Sequence, residues 1–277
     1  MTEWGNPVTM VLKETQTFEM RGMHMIQAVL FDLGGTIHTN EDSAQRQLQY
    51  AQRLIDRLND YQIHIDTPVD LFSRRLRENT EIYKRESEQT LRELPAEIIW
   101  NDYYLRDYAI GVERLKPIAE ELSFRYDYDR VKIMRREHLN ETLQALQDMG
   151  VRLGVISNII SKTVVGHFLR EYDIYDRMEC VITSAETSIR KPSPEIFRIA
   201  ELKMNLLPEQ FAYVGDTLSR DVAGVRAAGW KMAIRIENPS IAHRDVKARE
   251  SGLEADYVIR DLSEIIQIIQ NERNSEA

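Results

Sequence analysis

The sequence has little cysteine, no long hydrophobic run and no excess of positive charge. A single cysteine, Cys180, excludes an intrachain disulfide and fits a reducing compartment, so we expect a cytoplasmic protein. No apolar run approaches the roughly 18 residues that a membrane-spanning helix requires. The net charge of −9 at pH 7 disfavours nucleic acid, because binding to its phosphates usually needs a basic face. We therefore expect a soluble protein whose partner is neither a membrane nor a nucleic acid.

The chain is long enough for more than one structural unit. Its 277 residues, 43% of them hydrophobic, allow one large domain or a core with a smaller inserted domain. Residues 1–24 mix charges of both signs and contain no apolar core of the signal-peptide type. An apolar run follows directly, so we interpret residues 1–24 as an N-terminal extension and place the start of the domain at residue 25.

Short apolar runs alternate with helical patterns along most of the chain. Such runs are typical of strands that are covered on both faces. Strands that alternate with helices imply a parallel sheet with helices on both sides. We therefore predict an α/β fold with a doubly wound, mainly parallel, Rossmann-like sheet. Its strands are expected at residues 26–32, 151–157, 179–183, 211–216, 232–236 and 257–259, and its helices at 141–149, 194–204 and 220–228.

Residues 41–137 break this alternation. They carry many charges, few apolar runs, and apolar residues at helical spacing, as in Leu48, Ala51, Leu54, Ile55 and Leu58. Prolines punctuate the stretch near the expected helix starts. We predict an all-α domain of residues 41–137 that is inserted into a core of residues 25–40 and 138–277.

Polar residues follow four of the predicted strands at their carboxyl ends. In a doubly wound sheet these ends share one edge, where ligands bind. Gathered carboxylates repel one another, and a divalent cation offsets the repulsion; oxygen ligands without histidine or cysteine suit Mg²⁺. A lysine and a hydroxyl beside the metal can bind phosphate oxygens. Each residue alone is common in turns, but the shared edge predicts a phosphate site at Asp32, Ser157, Asn158, Arg190, Lys191, Gly215, Asp216 and Asp221.

In their order and spacing these segments resemble the four motifs of the haloacid dehalogenase-like hydrolase superfamily. The resemblance covers residues 26–40 and about 138–265, and it implies that the helical insert is a cap. The family's first motif is a strand ending in Asp-x-Asp-Gly-Thr, and the others centre on a Ser or Thr, a Lys, and Gly-Asp-x-x-x-x-Asp. The corresponding segments are DLGGT at 32–36, LGVISN at 153–158, RKPSPEIF at 190–197 and GDTLSRD at 215–221.

The resemblance also implies a role for each residue of the site. Asp32 would be the nucleophile that forms an aspartyl-phosphate. Asp216 and Asp221 would hold Mg²⁺ together with Asp32 and the carbonyl of Gly34. Ser157, Asn158, Lys191 and Gly35 would bind the substrate, with Ser157 and Lys191 also serving catalysis by neutralising the transferring phosphoryl group. The resemblance therefore implies a Mg²⁺-dependent phosphatase that acts on a small phosphorylated metabolite.

Position 34 departs from the family pattern. A glycine stands where the family has a second aspartate, which donates a proton to the leaving oxygen and then activates water. Its loss is expected to weaken general acid–base catalysis, which is typically worth about 10²- to 10⁴-fold. His38 in the expected hinge, or a residue of the cap, is a candidate replacement. Without one, aryl phosphates, which leave without a proton, should react while alkyl phosphates should react poorly.

Two alternatives stay open for the function. Phosphonate-cleaving members of the superfamily also lack the second aspartate and use a cap lysine, and Lys84 lies in the insert. A catalytically weak or inactive relative could instead bind a phosphorylated metabolite or a protein. Dehalogenase members do not need the metal that Asp216 and Asp221 are expected to hold. Cations of the insert could contact an anionic substrate, although most are expected on solvated helix faces: Arg74, Arg75, Arg77, Lys84 and Arg85.

Overall fold

The structure, a computed structural model, describes residues 25–276. The predicted extension of residues 1–24 lies outside the described residues. A six-stranded parallel sheet forms the centre, with strand order β5-β4-β1-β6-β7-β8. The strands are β1 (Ala28–Phe31), β4 (Arg152–Ser157), β5 (Met178–Thr183), β6 (Phe211–Gly215), β7 (Met232–Ile236) and β8 (Tyr257–Ile259).

The strand order confirms the predicted doubly wound sheet. From β1 the chain moves outward through β4 and β5, then crosses back and moves outward on the other side through β6, β7 and β8. All four residues of β1 are buried, because helices cover both faces of the sheet. Since the winding direction reverses next to β1, the carboxyl end of β1 opens into the crevice where doubly wound sheets bind ligands.

Helices make up most of the rest of the described chain. Those between residues 41 and 132, which we call the helical insert, are α1 (Ala44–Asp60), α2 (Val69–Thr90), α3 (Ala96–Ile98, continued by a π-helical turn at Ile99–Tyr104), α4 (Val112–Leu115) and α5 (Ala119–Asp129). Those of the core are α6 (Leu139–Asp148), α7 (Val164–Glu171), α8 (Ser184–Thr187), α9 (Pro194–Met204), α10 (Ala223–Ala228, preceded by a π-helical turn at Leu218–Val222), α11 (Val246–Glu250) and α12 (Glu264–Glu276).

An antiparallel pair of short strands joins the helical insert to the core. β2 (His38–Glu41) pairs with β3 (Lys132–Arg135), so that the entry and the exit of the insert lie side by side. Neither strand is predicted from the sequence, and β3 falls within the segment expected to be all helical. Both strands are short and mostly polar, and most of their residues are exposed, so they lack the apolar alternation that signals a strand. The pair holds the insert close to the carboxyl end of β1.

The helical insert has its own apolar core. Trp100, Phe72 and Leu58 are fully or almost fully buried in it, and the indole N–H of Trp100 donates a hydrogen bond to the Ser123 hydroxyl at 3.0 Å. The apolar spacing in the α1 segment is thus explained by burial of one face of the helix, from which only Leu48, at 40% exposed, is left out.

Candidate active site

Asp32 stands directly after β1 and is 6% exposed. Its backbone N–H donates to the carbonyl of Val214 in β6 at 2.9 Å, which continues the sheet pairing for one more residue. The chain then turns sharply, since the N–H of Ile37 donates to the Leu33 carbonyl at 2.9 Å. This turn leaves the Asp32 side chain in the crevice beyond the strand ends.

The three predicted acidic residues come together at this edge. Asp32, Asp216 and Asp221 each contribute one carboxylate oxygen to a group in which all these oxygens lie within 4.8 Å of one another. All three side chains are buried. Buried carboxylates at such spacing raise one another's energy unless cations or hydrogen bonds neutralise them.

Lys191 supplies part of that neutralisation. Its ammonium nitrogen lies 2.9 Å from Asp32 Oδ1 and 2.7 Å from Asp221 Oδ1. The same nitrogen lies 2.7 Å from the hydroxyl of Tyr213 and 3.1 Å from the carbonyl of Ile156. Lys191 is 3% exposed, so its charge acts in a region with little water and is screened weakly.

The loop that carries Lys191 is held by the residue after Ser157. The side chain of Asn158 accepts a hydrogen bond from the Lys191 N–H at 2.8 Å and donates one to the Lys191 carbonyl at 3.0 Å. Ser157 ends β4 and is 2% exposed, and both residues line the same cavity as Asp32. The structure therefore brings together the predicted residues from the ends of β1, β4, β5 and β6.

A buried ion pair attaches the helical insert to this loop. Arg190 pairs with Glu93, whose side chain is fully buried. Glu93 also accepts a hydrogen bond from the Ser184 hydroxyl at 2.6 Å and another from the Tyr83 hydroxyl. The residue before Lys191 is thus tied to the insert, so that the lysine and the insert are positioned together.

The carboxyl of Asp216 is the least neutralised of the three acids. Burial, followed by the charges of Asp221 and Asp32, raises its pKa to about 7. Its Oδ2 accepts a hydrogen bond from the Asn238 amide at 2.8 Å, whereas its Oδ1 is buried and has no hydrogen-bond partner. A buried carboxylate oxygen without a partner is costly, and a hard cation held by three acidic oxygens would satisfy it.

The other two acids differ from Asp216 because they contact Lys191. Burial raises the pKa of Asp32 above its ordinary value, although the charge of Lys191 opposes the rise. Burial acts in the same direction on Asp221, but the charges of Lys191 and Arg220 outweigh it and hold the pKa of Asp221 below its ordinary value. Asp221 is therefore held as a carboxylate.

Glycine is required at two positions because the carboxylates approach the backbone closely. A Cβ at Gly35, where φ is +89°, would lie 1.8 Å from Asp216 Oδ2. A Cβ at Gly215 would lie 2.4 Å from the Asp221 Cγ. Position 34 is different: a Cβ at Gly34 would have the Asn40 amide at 3.9 Å as its nearest neighbour. The site thus has room for a side chain at position 34 but carries none.

His38, the candidate replacement acid, is 3% exposed in β2. Its ring packs edge-on against Phe168, and its Nδ1 lies 3.1 Å from the Tyr172 hydroxyl. Burial lowers the pKa of His38 to about 4. The imidazole is therefore neutral at pH 7 and is a poor source of the missing proton.

Two neighbouring cavities lie between the sheet edge and the helical insert. One, of about 610 Å³, is lined by Asp32 and Asp216 of the acidic cluster; the other, of about 490 Å³, extends under the insert. Asp42, Asp127 and Arg130 line both. Of the insert cations considered from sequence, Arg77 and Lys84 line the second cavity.

Several residues around the first cavity were missed by the sequence analysis. Arg220, Asn238 and Asp127 line it. Arg220 belongs to the fourth motif segment, so its position could have drawn attention. Asn238 and Asp127 reach the cavity from a loop and from a charged helix, where nothing in the local sequence separates them from ordinary surface residues.

None of the helices within residues 25–276 has the length and apolar character that would let it cross a membrane.

Comparison with known proteins gives one family. A family model of haloacid dehalogenase-like hydrolases matches residues 26–229. The chain is 26% identical over 247 residues to the glyceraldehyde 3-phosphate phosphatase of Methanopyrus kandleri, covering 89% of this chain and 98% of that protein. It is also 26% identical over 151 residues to the pyrophosphatase PpaX of Bacillus pumilus, covering 53% of this chain and 65% of that protein.

Solved structures agree with this result. The crystal structure of an HAD phosphatase from Thermococcus onnurineus superimposes with a TM-score of 0.60 at 25% identity, covering 90% of this chain and all of that one (100%). A 2-haloacid dehalogenase from Pseudomonas syringae superimposes with the same TM-score of 0.60 at 21% identity, covering 89% of this chain and 99% of that one. The second likeness shows a shared fold alone.

Proposed function

Because the chain belongs to the haloacid dehalogenase-like hydrolases, we propose that it is a Mg²⁺-dependent phosphatase that uses Asp32 as its nucleophile. The observation that carries the proposal is the contact of one buried lysine with two buried acids at the carboxyl edge of the sheet: Lys191 with Asp32 and Asp221. The phosphatase names of relatives such as the Methanopyrus kandleri protein support the same reaction class.

In the first step, an oxygen of Asp32 attacks phosphorus and the leaving oxygen departs from it. Asp32 suits this role because it stands at the end of β1, where the sheet fixes its backbone, and because Lys191 holds its Oδ1. In the second step, water attacks the phosphoryl-Asp32 and releases phosphate. Splitting the hydrolysis into these two steps replaces one difficult displacement by two easier ones.

The acidic cluster suits Mg²⁺. Asp32, Asp216 and Asp221, with the carbonyl of Gly34, are the proposed ligands, and the buried Asp216 Oδ1 without a partner is the atom that a cation would satisfy. When bound, Mg²⁺ would neutralise charge on the phosphoryl oxygens. A set of oxygen donors without histidine or cysteine favours Mg²⁺ over zinc.

The transferring phosphoryl group is proposed to lie between the ends of β1, β4 and β5. The Ser157 hydroxyl, the backbone N–H of Asn158 and the Lys191 ammonium are the proposed binding groups, whereas the backbone N–H of Gly35, the fourth expected group, donates to the His38 carbonyl at 2.7 Å. All four residues line the cavity that holds Asp32. Donors that are fixed in place before the reaction stabilise developing charge without having to reorganise.

We propose residues 41–137 as the cap of this site and a small phosphorylated metabolite as its substrate. Asp127 and Arg130, at the end of the helical insert, line the cavity that contains Asp32, so the insert forms one wall of the site. A wall of this kind excludes water and selects the substrate. A cytoplasmic location remains a prediction from the cysteine content.

The proposal is tested by hydrolysis of para-nitrophenyl phosphate and a panel of phosphorylated metabolites, with Mg²⁺ and with a chelator. We expect activity with Mg²⁺ that Asp32→Asn lowers by at least about 10³-fold. The matched control is Asp176→Asn, which makes the same change at an exposed residue and should keep full activity. Full activity of Asp32→Asn would disprove the nucleophile. Absence of turnover by the intact chain on every substrate would favour a binding module instead.

A further inference from the structure

The proposed reaction needs a proton donor for an alkoxide leaving group, and Gly34 offers none. Among the described residues, the acidic or imidazole side chains that line the cavity outside the metal cluster are His38, Asp42 and Asp127. His38 is neutral at pH 7, as shown above. Asp42 is exposed, and both of its carboxylate oxygens accept hydrogen bonds from the Gln47 amide at 2.7 Å. Asp127 is therefore the remaining candidate proton donor.

Asp127 lies near the end of α5, which is anchored to the loop that follows β4. The carboxylate of Glu120, on the same helix, accepts hydrogen bonds from the hydroxyls of Ser161 and Thr163 at 2.7 and 2.8 Å. The backbone of Ser161 lies close enough to the Asp127 carboxyl to oppose the rise of its pKa. Since this loop begins directly after Ser157, the Asp127 carboxyl is held against the segment that carries a proposed phosphoryl ligand.

The chain after Asp127 also leads to the site. Arg130 follows α5, and β3 comes next and pairs with β2. Lys132 of β3 lies opposite Glu41 of β2, and Arg135 of β3 lies opposite His38 of β2. β2 follows the turn that contains Gly34. The segment with Asp127 is therefore fixed at both ends, by the loop after β4 and by the strand pair beside the first motif.

The environment of Asp127 favours a carboxyl that gives and takes a proton. Its Oδ2 is buried and has no hydrogen-bond partner, which penalises the charged form more than the neutral acid. Burial, with the nearby charges of Glu93 and Glu120, raises the pKa of Asp127 to about 7, although Arg130 and the Ser161 backbone oppose the rise. Acid–base groups work best when their pKa lies near the working pH.

We propose that Asp127 is the general acid and base that replaces the side chain missing at Gly34, an inference that rests on the proposed phosphatase function. As Asp32 bonds to phosphorus, the P–O bond to the leaving group breaks and the protonated Asp127 gives its proton to that oxygen. The Asp127 carboxylate then takes a proton from the water whose oxygen attacks the phosphoryl-Asp32. The ester and water are thus converted to alcohol and phosphate, and Asp127 is protonated again.

The test compares Asp127→Asn with the intact chain on a series of phosphate monoesters whose leaving groups differ in pKa. We expect kcat/KM for alkyl phosphates to fall by about 10²-fold or more, whereas kcat/KM for para-nitrophenyl phosphate, whose leaving group needs no proton, should stay nearly unchanged. Its kcat should fall, because hydrolysis of the phosphoryl-Asp32 is common to all substrates and loses its base. The slope of rate against leaving-group pKa should steepen. A structural defect would lower both classes of substrate together.

Asp129→Asn is the matched control, because it makes the same change on the same helix. Asp129 accepts a hydrogen bond from Arg125 at 3.3 Å and lines a separate cavity with Tyr50 and Arg53. Asp129→Asn should leave the dependence of the rate on leaving-group pKa unchanged. Asp127→Glu keeps the carboxyl and should recover part of the alkyl activity, which Asp127→Asn cannot do.

The pH profile gives a second readout. For alkyl phosphates, kcat/KM of the intact chain should decline as the pH rises through about 7, since Asp127 must be protonated. Asp127→Asn should lack this decline. Equal losses of kcat/KM on both substrate classes, or no loss of kcat/KM on alkyl phosphates, would overturn the role of Asp127 while leaving the phosphatase intact. No phosphatase activity in the intact chain would overturn the proposed function itself.

Discussion

Placing an aspartate at position 34 in a chain that lacks Asp127 should restore the proton transfer. The backbone permits the change, because a Cβ at Gly34 would meet no atom closer than the Asn40 amide at 3.9 Å. The new carboxyl would follow Asp32 by the spacing that the family motif uses. We therefore compare four chains: the intact one, Asp127→Asn, Gly34→Asp, and the variant with both changes.

The expected change in rate follows from the contribution of general acid catalysis. That contribution is about 10²- to 10⁴-fold, or about 3–5 kcal/mol in the activation free energy. Asp127→Asn should lose it for alkyl phosphates, and Gly34→Asp should return most of it in the Asp127→Asn background. In the intact chain, Gly34→Asp should add much less, because a proton donor is already present. The two changes should thus be strongly non-additive.

The assay is kcat/KM for one alkyl phosphate and for para-nitrophenyl phosphate, measured with Mg²⁺ on all four chains. Gly34→Asn in the Asp127→Asn background is the control, since asparagine has the same size and cannot donate the proton as an acid. The reasoning is refuted if Gly34→Asn rescues as well as Gly34→Asp. It is also refuted if Gly34→Asp raises kcat/KM for the alkyl phosphate by the same factor with and without Asp127.

Three further predictions concern stability, measured as the free energy of unfolding in urea. Gly35→Ala should cost about 1–3 kcal/mol, because its Cβ would lie 1.8 Å from Asp216 Oδ2; an equally stable variant would contradict the close approach. Glu93→Gln should cost about 3–5 kcal/mol, because it leaves the buried Arg190 charge unpaired, whereas Glu41→Gln in the exposed pair with Lys132 should cost less than about 1 kcal/mol. His38 is held neutral in the folded chain, with its pKa lowered from 6.5 to about 4. The unfolded chain therefore binds more protons, and the free energy of unfolding should fall as the pH drops from 6.5 to 4. His38→Gln should reduce that fall by up to about 3 kcal/mol, and an unchanged pH dependence in this variant would contradict the lowered pKa of His38.

Much of the core could be predicted because its strands are buried on both faces. β7 and β8 were predicted with the bounds that they have, and the other core strands within two residues or fewer at each end. β2 and β3 could not be found this way, because most of their residues are polar and exposed and only their pairing defines them as strands. Their position matters for function, since they attach the helical insert beside Asp32.

The same contrast applies to the site. The residues at strand ends were predicted because topology alone brings such ends together, and the distances from Lys191 to Asp32 and Asp221 agree with that expectation. Asp127 could not be predicted, because its position depends on how α5 packs on the loop after β4. In sequence it is one acid among several in a charged helix, and only the packing raises its pKa to about 7.

The most direct test of the central claim is to trap the phosphorylated intermediate. The intact chain would be mixed with para-nitrophenyl phosphate and Mg²⁺, quenched in acid within one turnover, digested and examined by mass spectrometry. The account predicts a phosphoryl group on the peptide that contains Asp32, and its loss in Asp32→Asn. Steady turnover with no phosphorylated Asp32 peptide, or with the phosphoryl group on another residue, would contradict it.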